Sequence, residues 1–406
     1  MMKKTRESNW QKNVLKDFKK KSPSKIKIEK RSTFKKYIQN HLNLFNENLK
    51  FPVELFDNKK VLDLGCGTGE VDIVLSSFGA KCYGIDFNQL SIDRANNLKK
   101  KYYIKNVNFK KLKIEDYKIK KNFFDISISF GVIAHVYDRE KLFQKLVNST
   151  KKNGYIILGY VEDAGLIQRL LHRAIIRRLT KNKEKNIFSL AKKLFAEHIK
   201  RSIKYGLRTE DGIINDYLVN QAYVGISMSQ LIKWQKKYKL KLYSKSPDAS
   251  LPFRIDPGFQ TSKLNDKINK ELFAISSLRS IFAQRPDSNI FEDIFKNDKN
   301  LIQTDIIKFV NSIYKVLQRK NNTASKKELD KINKYQKKIS KKIILINNFD
   351  KKYSIYNFEN LSKEITGILS EISKKNFTFG SLNKKTNYLF KGYNGLGTSY
   401  IVYKKQ

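Results

Sequence analysis

Ten residues near the start of the chain, Val61 to Glu70 (VLDLGCGTGE), decide the fold. An apolar run opens this stretch, and such a run is typical of a strand that helices cover on both faces. Three glycines stand at alternate positions after it: Gly65, Gly67 and Gly69. Because glycine has no Cβ, the chain can turn sharply there and bring backbone amides close to a ligand. The stretch therefore predicts a buried strand followed by a ligand-binding turn.

An acid ends the next predicted strand, Lys81 to Ile85 (KCYGI), at Asp86. In parallel sheets with a glycine-rich first turn, an acid at the tip of the second strand, about 20 residues further on, accepts hydrogen bonds from ribose hydroxyls. The turn and the acid together indicate a ligand that contains a nucleoside. Two classes of ligand fit this description, and the spacing of the glycines separates them.

The glycine spacing differs from that of a dinucleotide-binding loop, which reads G-x-G-x-x-G. Here the loop reads G-x-G-x-G, with Asp63 just before it. The combination of DxGxGxG with a following GxD resembles the first motifs of class I S-adenosylmethionine-dependent methyltransferases. Later segments match in the same order: GVIAHVYD (131–138) resembles the family's GVLHH…D segment, and KNGYII (152–157) resembles its K-x-G-G-x-I-I pattern.

Strand and helix signals alternate from residue 60 to residue 160, which predicts a parallel sheet with right-handed crossovers. The resemblance implies an α/β fold, a doubly wound seven-stranded Rossmann-like methyltransferase sheet with helical insertions before strand six and between strands six and seven. We expect the last two strands at 240–246 and, antiparallel, at 399–403. The predicted segments are a basic N-terminal arm and cofactor-covering helix (1–50), the S-adenosylmethionine-binding Rossmann-like core (51–160), a helical substrate cap (161–235), the sixth strand (236–250), a helical insertion (251–395) and the last strand (396–406).

Length and composition restrict the class of protein. The 406 residues, 40% of them apolar, suffice for one large domain or two smaller ones with a packed core. No run of about 18 apolar residues occurs, and no apolar segment follows the first charged residues, so we expect neither a membrane span nor a signal peptide. Cys66 and Cys82 lie in the glycine loop and the second strand as small packed residues, in agreement with a reducing cytoplasm. We predict a cytoplasmic protein, and the sequence leaves its oligomeric state open.

The formal charge of +45 has two interpretations. It can mark a protein that binds RNA, DNA or an anionic membrane surface. It can also reflect a genome rich in A and T, because lysine, asparagine and isoleucine are enriched together and the charge is spread along the chain mostly as lysine. The second interpretation is favoured. The lysine pairs between residues 326 and 342 accordingly predict a solvated helix face, with an RNA-binding face as the alternative.

The resemblance implies S-adenosyl-L-methionine as the cofactor. Asp63 and the amides of the glycine loop would hold its methionine part, and Asp86 would bind its ribose diol. Lys113 stands where the family usually has an acid for the adenine amino group, so Ile114 would contribute its backbone and apolar face there. The complete predicted cofactor-binding set is Asp63, Gly65, Cys66, Gly67, Thr68, Gly69, Asp86, Phe87, Ile114, Glu115, Phe130 and Gly131.

Candidate acceptor residues follow the fourth and fifth strands. His135, at the carboxyl end of the fourth strand, is the candidate general base, with packing beside the cofactor or a structural hydrogen bond as the alternative. Tyr160, a second catalytic candidate, and Glu162, a substrate-binding candidate, follow the fifth strand. A later segment (208–247) resembles part of a bacterial methyltransferase subgroup and contributes three further substrate-binding candidates: Asp216, Tyr217 and Gln221. A capping or surface role is the alternative for these three.

Several chemistries are excluded by missing motifs. No Asn/Asp-Pro-Pro-Tyr or -Phe motif follows the fourth strand, no cysteine lies near residues 130 or 160, and no zinc-binding spacing occurs, so we expect no metal. These absences disfavour a nucleobase acceptor. The sequence predicts a methyltransferase acting on a small-molecule or glycan-precursor acceptor, most simply at oxygen. The alternative is a basic RNA-binding protein whose methyltransferase domain acts on RNA or serves as a scaffold.

Overall fold

The computed structural model describes residues 26–181, 184–220, 224–246, 301–319, 321–346, 354–383 and 398–406. Predictions for the basic arm before residue 26, for residues 247–300 and for residues 384–397 lie outside this part of the chain. No helix within the described ranges is long and apolar enough to cross a membrane.

Seven strands form one sheet in the described part of the chain. In chain order they are β1 (Lys60–Leu64), β2 (Lys81–Asp86), β3 (Val107–Lys111), β4 (Phe124–Phe130), β5 (Thr150–Tyr160), β6 (Leu240–Ser246) and β7 (Ser399–Lys405). Their order across the sheet is β3-β2-β1-β4-β5-β7-β6. Strands β1 to β5 pair in parallel, whereas β7 runs antiparallel to both β5 and β6. The predicted doubly wound, seven-stranded α/β fold is confirmed.

The helices of the first half alternate with the strands. They are α1 (Arg31–Leu42), α2 (Glu70–Ser77), α3 (Gln89–Lys101) and α4 (Arg139–Ser149). Side-chain caps define two of the starts, because the Asn88 side chain accepts from the Leu90 amide and the Asp138 side chain accepts from the Lys141 amide. Both caps follow directly on the carboxyl-terminal ends of strands or their loops, so the helices begin beside the edge where a ligand binds.

The later helices lie before β6 and between β6 and β7 in the chain. They are α5 (Asp163–Thr180), α6 (Glu184–Leu194), α7 (Ala196–Gly206), α8 (Glu210–Ile214), α9 (Met228–Lys237), α10 (Leu301–Leu317), α11 (Lys326–Ile346), α12 (Ser354–Ser373) and α13 (Phe379–Asn383). A single turn of π-helix, Asn215–Val219, continues α8. The turn places Asp216 and Tyr217 against α5.

The two faces of the sheet pack into different cores. Val61 faces a core that contains Phe45, Phe51 and Phe56, whereas its neighbour Leu62 faces a core beneath α4 and α9. This alternation follows from the pleat, because successive side chains of a strand point to opposite faces. A third core joins α5 to α6, α7, α10, α11 and α12.

Helix α5 differs from its sequence pattern. The pattern over residues 165–179 predicts an apolar stripe with basic residues on a second, outer face. The structure buries Arg169 and Arg173 of that basic face as well, since helices of the cap and of the later segment cover α5. The lysines of α11 that were expected on a solvated face, such as Lys327, Lys334 and Lys338, are exposed.

Strand β5 is longer than the sequence predicts. The sequence predicts a turn at Asn153-Gly154, between a helix that ends at Thr150 and a strand that starts at Tyr155. Instead β5 starts at Thr150 and its pairing with β4 shifts register before Tyr155, with Asn153 at φ +62°. The turn residues thus form an irregularity within the strand, where a left-handed residue lets the chain bulge without leaving the sheet.

Candidate cofactor and acceptor site

The glycine loop joins β1 to α2 and is held against β2. The amides of Gly65 and Cys66 both donate to the carbonyl of Ile85, at 2.8 and 3.0 Å. Gly65 has φ +88°, and a Cβ placed on it would lie 2.4 Å from a methyl carbon of Val132. Both the backbone conformation and the close approach of the loop after β4 therefore require glycine at this position.

Asp86 lies beside the loop at the carboxyl end of β2. Its Oδ2 accepts from the amide of Gly67 at 3.1 Å, and its Oδ1 accepts from the amide of Asn88 at 2.8 Å. Burial raises the pKa of Asp86, while these amides counteract the rise by stabilising the carboxylate. These two amides fix the carboxylate at the carboxyl end of β2, and its role in binding ribose stays a prediction.

A second acid accompanies Asp63, and the sequence interpretation missed it. Asp63 is 3% exposed and Asp72, on the inward face of α2, is 0% exposed. Their carboxyl groups lie within hydrogen-bonding reach of one another. One signal in the sequence could have predicted that Asp72 is buried. Asp72 stands three and four residues before Leu75 and Ser76, so it shares a helix face with them, and both of these residues are buried.

The N-terminal segment crosses the start of α2 and is tied to it by charges. Glu70 accepts from the Thr68 hydroxyl at 2.5 Å and from the Ile26 amide at 3.2 Å. Arg94 of α3 binds Glu70 at 2.8 Å and Glu29 at 3.0 Å. Because Arg94 lies 65 residues from Glu29 in the chain, sequence spacing gave no signal for this contact.

Two tyrosines and a phenylalanine lie on the same face of the sheet. Tyr400, at the start of β7, packs edge-on against Phe130 at the end of β4, with ring centroids 5.3 Å apart. Burial raises the pKa of Tyr37 in α1 well above its ordinary value, and the nearby Glu70, Tyr400 and Asp63 raise it further. Both phenols therefore stay protonated at neutral pH.

The other predicted cofactor residues lie at the carboxyl ends of the strands or in the loops that follow them. Burial raises the pKa of the Cys66 thiol, which keeps it neutral. Gly131 has φ +74° with open space where a Cβ would stand. Phe87 and Ile114 are half-buried, and Glu115 is exposed. The predicted set is thus grouped along one edge of the sheet.

His135 lies in the turn after β4 and meets residues from the cap. Its backbone amide donates to the carbonyl of Val132 at 2.8 Å, and its ring Nδ1 is 3.5 Å from the side-chain nitrogen of Asn220. A proton on His135 would also favour ionisation of Asp216. The structure therefore brings His135 and Asp216 together across about 80 residues of chain and adds Asn220, which the sequence interpretation did not include.

Asp216 is held between two arginines. Its Oδ1 is 3.0 Å from Arg169 of α5 and its Oδ2 is 3.0 Å from Arg208, and its side chain is 20% exposed. Burial opposes ionisation, but Arg169 and then Arg208 and His135 outweigh it and hold the pKa of Asp216 well below its usual range. Asp216 is ionised at every pH at which the protein would work.

Tyr217 is part of the same packed cluster. Its hydroxyl lies 3.3 Å from Nδ1 of His172, and its carbonyl accepts from Nε of Arg173 at 2.8 Å. The ring of His198 packs on it with centroids 4.3 Å apart. These contacts position Tyr217 firmly between α5 and α7. Gln221, the third candidate of this segment, lies outside the described residues.

Tyr160 and Glu162 are both buried. Tyr160 is 0% exposed and donates to Glu162 at 3.1 Å on the face of the sheet beneath α9. Glu162 is 4% exposed and pairs with the equally buried Lys245 of β6 at 2.9 Å. Tyr160 lies on the same face of β5 as Ile156 and Leu158 and packs into the core on that face. The catalytic role of Tyr160 and the substrate-binding role of Glu162 stay predictions.

Comparison with known proteins agrees with this geometry. Residues 55–240 match the model of a family described as "Methyltransferase domain". A ubiquinone biosynthesis O-methyltransferase of Pelagibacter ubique is 31% identical over 102 residues, covering 25% of this chain and 42% of the relative. A protein of the same name from Rickettsia canadensis is 27% identical over 157 residues, covering 38% and 62%. The chain thus spans less than two thirds of the length of either relative.

Among solved structures, PKMT2 from Rickettsia typhi in complex with AdoHcy aligns with a TM-score of 0.38 and 19% identity, over 50% of this chain and 43% of that one. The family match covers β1 to the first residue of β6, including the glycine loop, Asp86 and His135. Residues 55–240 therefore form a methyltransferase domain.

Proposed function

We propose that this protein transfers a methyl group from S-adenosyl-L-methionine to a small-molecule or glycan-precursor acceptor, at oxygen. The observation that carries the proposal is the fixed position of Asp86 beside the glycine loop, with His135 at the same edge of the sheet. The two curated relatives are named O-methyltransferases, which favours oxygen as the methylated atom.

The residues of the loop fit such a cofactor. The lone pairs that Asp86 keeps beyond its two amide bonds can accept from a ribose diol, and charge-assisted hydrogen bonds of this kind contribute about 1.5–3 kcal/mol each. Oδ1 of Asp63 is buried and accepts no hydrogen bond from the described residues. An ammonium group, which the methionine part of the cofactor carries, supplies the missing donor and the missing positive charge.

The protein contributes mainly orientation to the reaction. Bound, the cofactor supplies a methyl group on a positively charged sulfur, which is an excellent leaving group. The glycine loop and Asp86 fix one reactant, and the cap fixes the other, so the chain replaces a bimolecular encounter by a held geometry. His135 would take the proton of an acceptor hydroxyl, and the nearby ionised Asp216 would stabilise the imidazolium that forms.

Calorimetric titration with S-adenosylmethionine and S-adenosylhomocysteine tests the proposal. Asp86→Ala should weaken binding at least tenfold, since it removes the charge-assisted hydrogen bonds to the ribose. Asp93→Ala is the matched control, because Asp93 is an exposed acid of α3 a short distance along the chain. Equal affinity of Asp86→Ala and the wild type would show that the site is misplaced. A panel of hydroxylated small acceptors then tests methyl transfer.

A second candidate, methylation or binding of RNA, is favoured by one observation. Five lysines spaced along α11 are exposed: Lys327, Lys331, Lys334, Lys338 and Lys341. One exposed acid, Asp330, lies among them. A steep fall of RNA affinity with salt would show only electrostatic attraction. Sequence-selective binding or methyl transfer to RNA would be required to favour this function over a small acceptor.

A further inference from the structure

The carboxyl groups of Asp63 and Asp72 form a buried pair under the glycine loop. Asp63 ends β1, and Asp72 reaches it from α2. Oδ1 of Asp63 and both carboxylate oxygens of Asp72 are buried and accept no well-formed hydrogen bond from another described residue. Two acids in contact with no donor between them are costly unless a proton or a cation lies there.

The charged and titratable surroundings of the pair are acidic or neutral. The groups that act on it come from α2, β2, the glycine loop and α1: Glu70, Asp86, Cys82, Cys66 and Tyr37. Arg94 of α3, which lies at the start of α2, is engaged by Glu70 and Glu29. Within the described ranges, the charges that act on the pair are therefore acidic, and none of them balances both acids.

A shared proton stabilises such a pair among the described residues. Burial raises the pKa of Asp63 well above its usual range, and Asp72 and Asp86 raise it further. Burial also raises the pKa of Asp72 to about 7, although the hydrogen bond with Asp63 limits the rise. Around neutral pH, then, the pair holds one proton between two carboxylates, which titrate as a unit.

We propose that Asp72 is a second acidic residue of the cofactor site, which shares a proton with Asp63 and releases it when the α-ammonium group of the cofactor binds. The inference rests on the proposed function, because it needs a ligand with that ammonium group. The O–H bond of the shared proton breaks, and its electron pair stays on the carboxylate. The proton leaves to solvent, and the ammonium takes its place as the positive charge between the two acids.

Proton release makes binding depend on pH in one direction. Below the pKa of the pair, the cofactor must displace a proton, so its affinity falls by about tenfold for each unit of pH. Above that pKa the pair is already ionised and this dependence disappears. Loss of one carboxylate, as in Asp72→Asn, removes the need to share a proton and with it most of the slope.

The test is calorimetric titration of S-adenosylhomocysteine at pH 6 in two buffers with different enthalpies of ionisation. The difference in observed heat gives the number of protons released. We expect about one proton for the wild type and close to none for Asp72→Asn. Between pH 8 and pH 6 the wild type should lose about tenfold in affinity, whereas the variant should change much less. Titration of the ligand itself is common to both proteins and cancels in the comparison.

Two further variants, Asp93→Asn and Asp63→Asn, serve as the control and as the replacement for a variant that does not fold. Asp93→Asn, an exposed acid of α3, should behave as the wild type. If Asp72→Asn does not fold, Asp63→Asn and the proton count of the wild type alone still decide the question. Binding without proton release, or equal release from Asp72→Asn and the wild type, would overturn the inference and leave the proposed function standing. If the wild type does not bind S-adenosylhomocysteine, the inference and the proposed function are both overturned.

Discussion

This protein has two buried sites that contain aspartate, and the pKa of the aspartate shifts in opposite directions at the two sites. Under the glycine loop, Asp63 and Asp72 meet without a described cation, and the pKa of each is raised. In the cap, Asp216 lies between Arg169 and Arg208, and its pKa is lowered. Burial opposes ionisation in both places, so the counter-charge decides the outcome.

This difference in counter-charge indicates which kind of ligand each region can bind. In the cap, Arg169 and Arg208 balance the charge of Asp216. These ion pairs hold α5, the π-helical turn and Arg208 together. The glycine loop has left its acids without such partners among the described residues, so it suits a ligand that carries positive charge. A sulfonium and an ammonium are charges of this kind.

The largest expected effect concerns the residue where the two regions meet. His135→Ala should lower the turnover of methyl transfer by about 10²–10⁴-fold, because the acceptor proton loses its base. Affinity for S-adenosylhomocysteine should stay unchanged, which separates a role in chemistry from a role in binding. His135→Gln, which keeps more of the side-chain volume, should be equally slow. Turnover equal to that of the wild type would remove His135 from the mechanism.

Removal of the Asp216 charge should destabilise the protein. Asp216→Asn leaves Arg169 and Arg208 buried without their counter-charge, and we expect the free energy of unfolding to fall by roughly 2–4 kcal/mol at neutral pH. The folded-state pKa of Asp216 lies below its unfolded value, so its contribution is present above about pH 4 and is lost as the pH falls further. Denaturant unfolding at pH 7 and below pH 4 measures the loss of stability and its dependence on pH.

Asp211→Asn is the control for that measurement, because Asp211 is an exposed acid of α8, the short helix that the π-helical turn of Asp216 continues. Its free energy of unfolding should differ from that of the wild type by less than about 0.5 kcal/mol. A loss as large as that of Asp216→Asn would mean that the segment, and not the buried ion pairs, is responsible.

The smallest expected effect has the opposite sign. Asp72→Asn should raise the free energy of unfolding at pH 8, by about 1–2 kcal/mol, since it removes a buried charge without a described cation. The folded-state pKa of Asp72, about 7, lies above its unfolded value. The wild type therefore loses stability as the pH rises from about 4 to 7, and the variant should lose less. Thermal unfolding against pH, with Asp93→Asn beside it, checks the slope, and a parallel slope in all three proteins would contradict the prediction.

Much of the fold could be predicted from the sequence because its signals are local. The bounds of β6 were predicted as the structure has them, and the last strand was placed correctly as an antiparallel one. The stretch of β1, the glycine loop and Asp86 spans few residues, and its backbone requirements are written directly in the residue types. The irregular start of β5 was missed because Asn-Gly favours a turn in isolation.

The candidate site could be predicted only in part. His135 and Asp216 were named separately, but their proximity depends on the path of the cap. Asp72, Arg94 and Asn220 were missed because each acts through a partner far away in the chain or on another element. The burial of Tyr160 and Glu162 was not predicted, because their position at the end of β5 says nothing about which face of the sheet they occupy.

By itself, the sequence determined the sheet, the glycine loop and the acid that follows β2, because these depend on residue type and on spacing over a few tens of residues. Only the tertiary structure decided which acids are ionised. The pKa of a buried carboxyl depends on the charges within a few ångströms, and the fold supplies those charges. It brings Arg169 to Asp216 across 47 residues and gives Asp63 another acid as its neighbour.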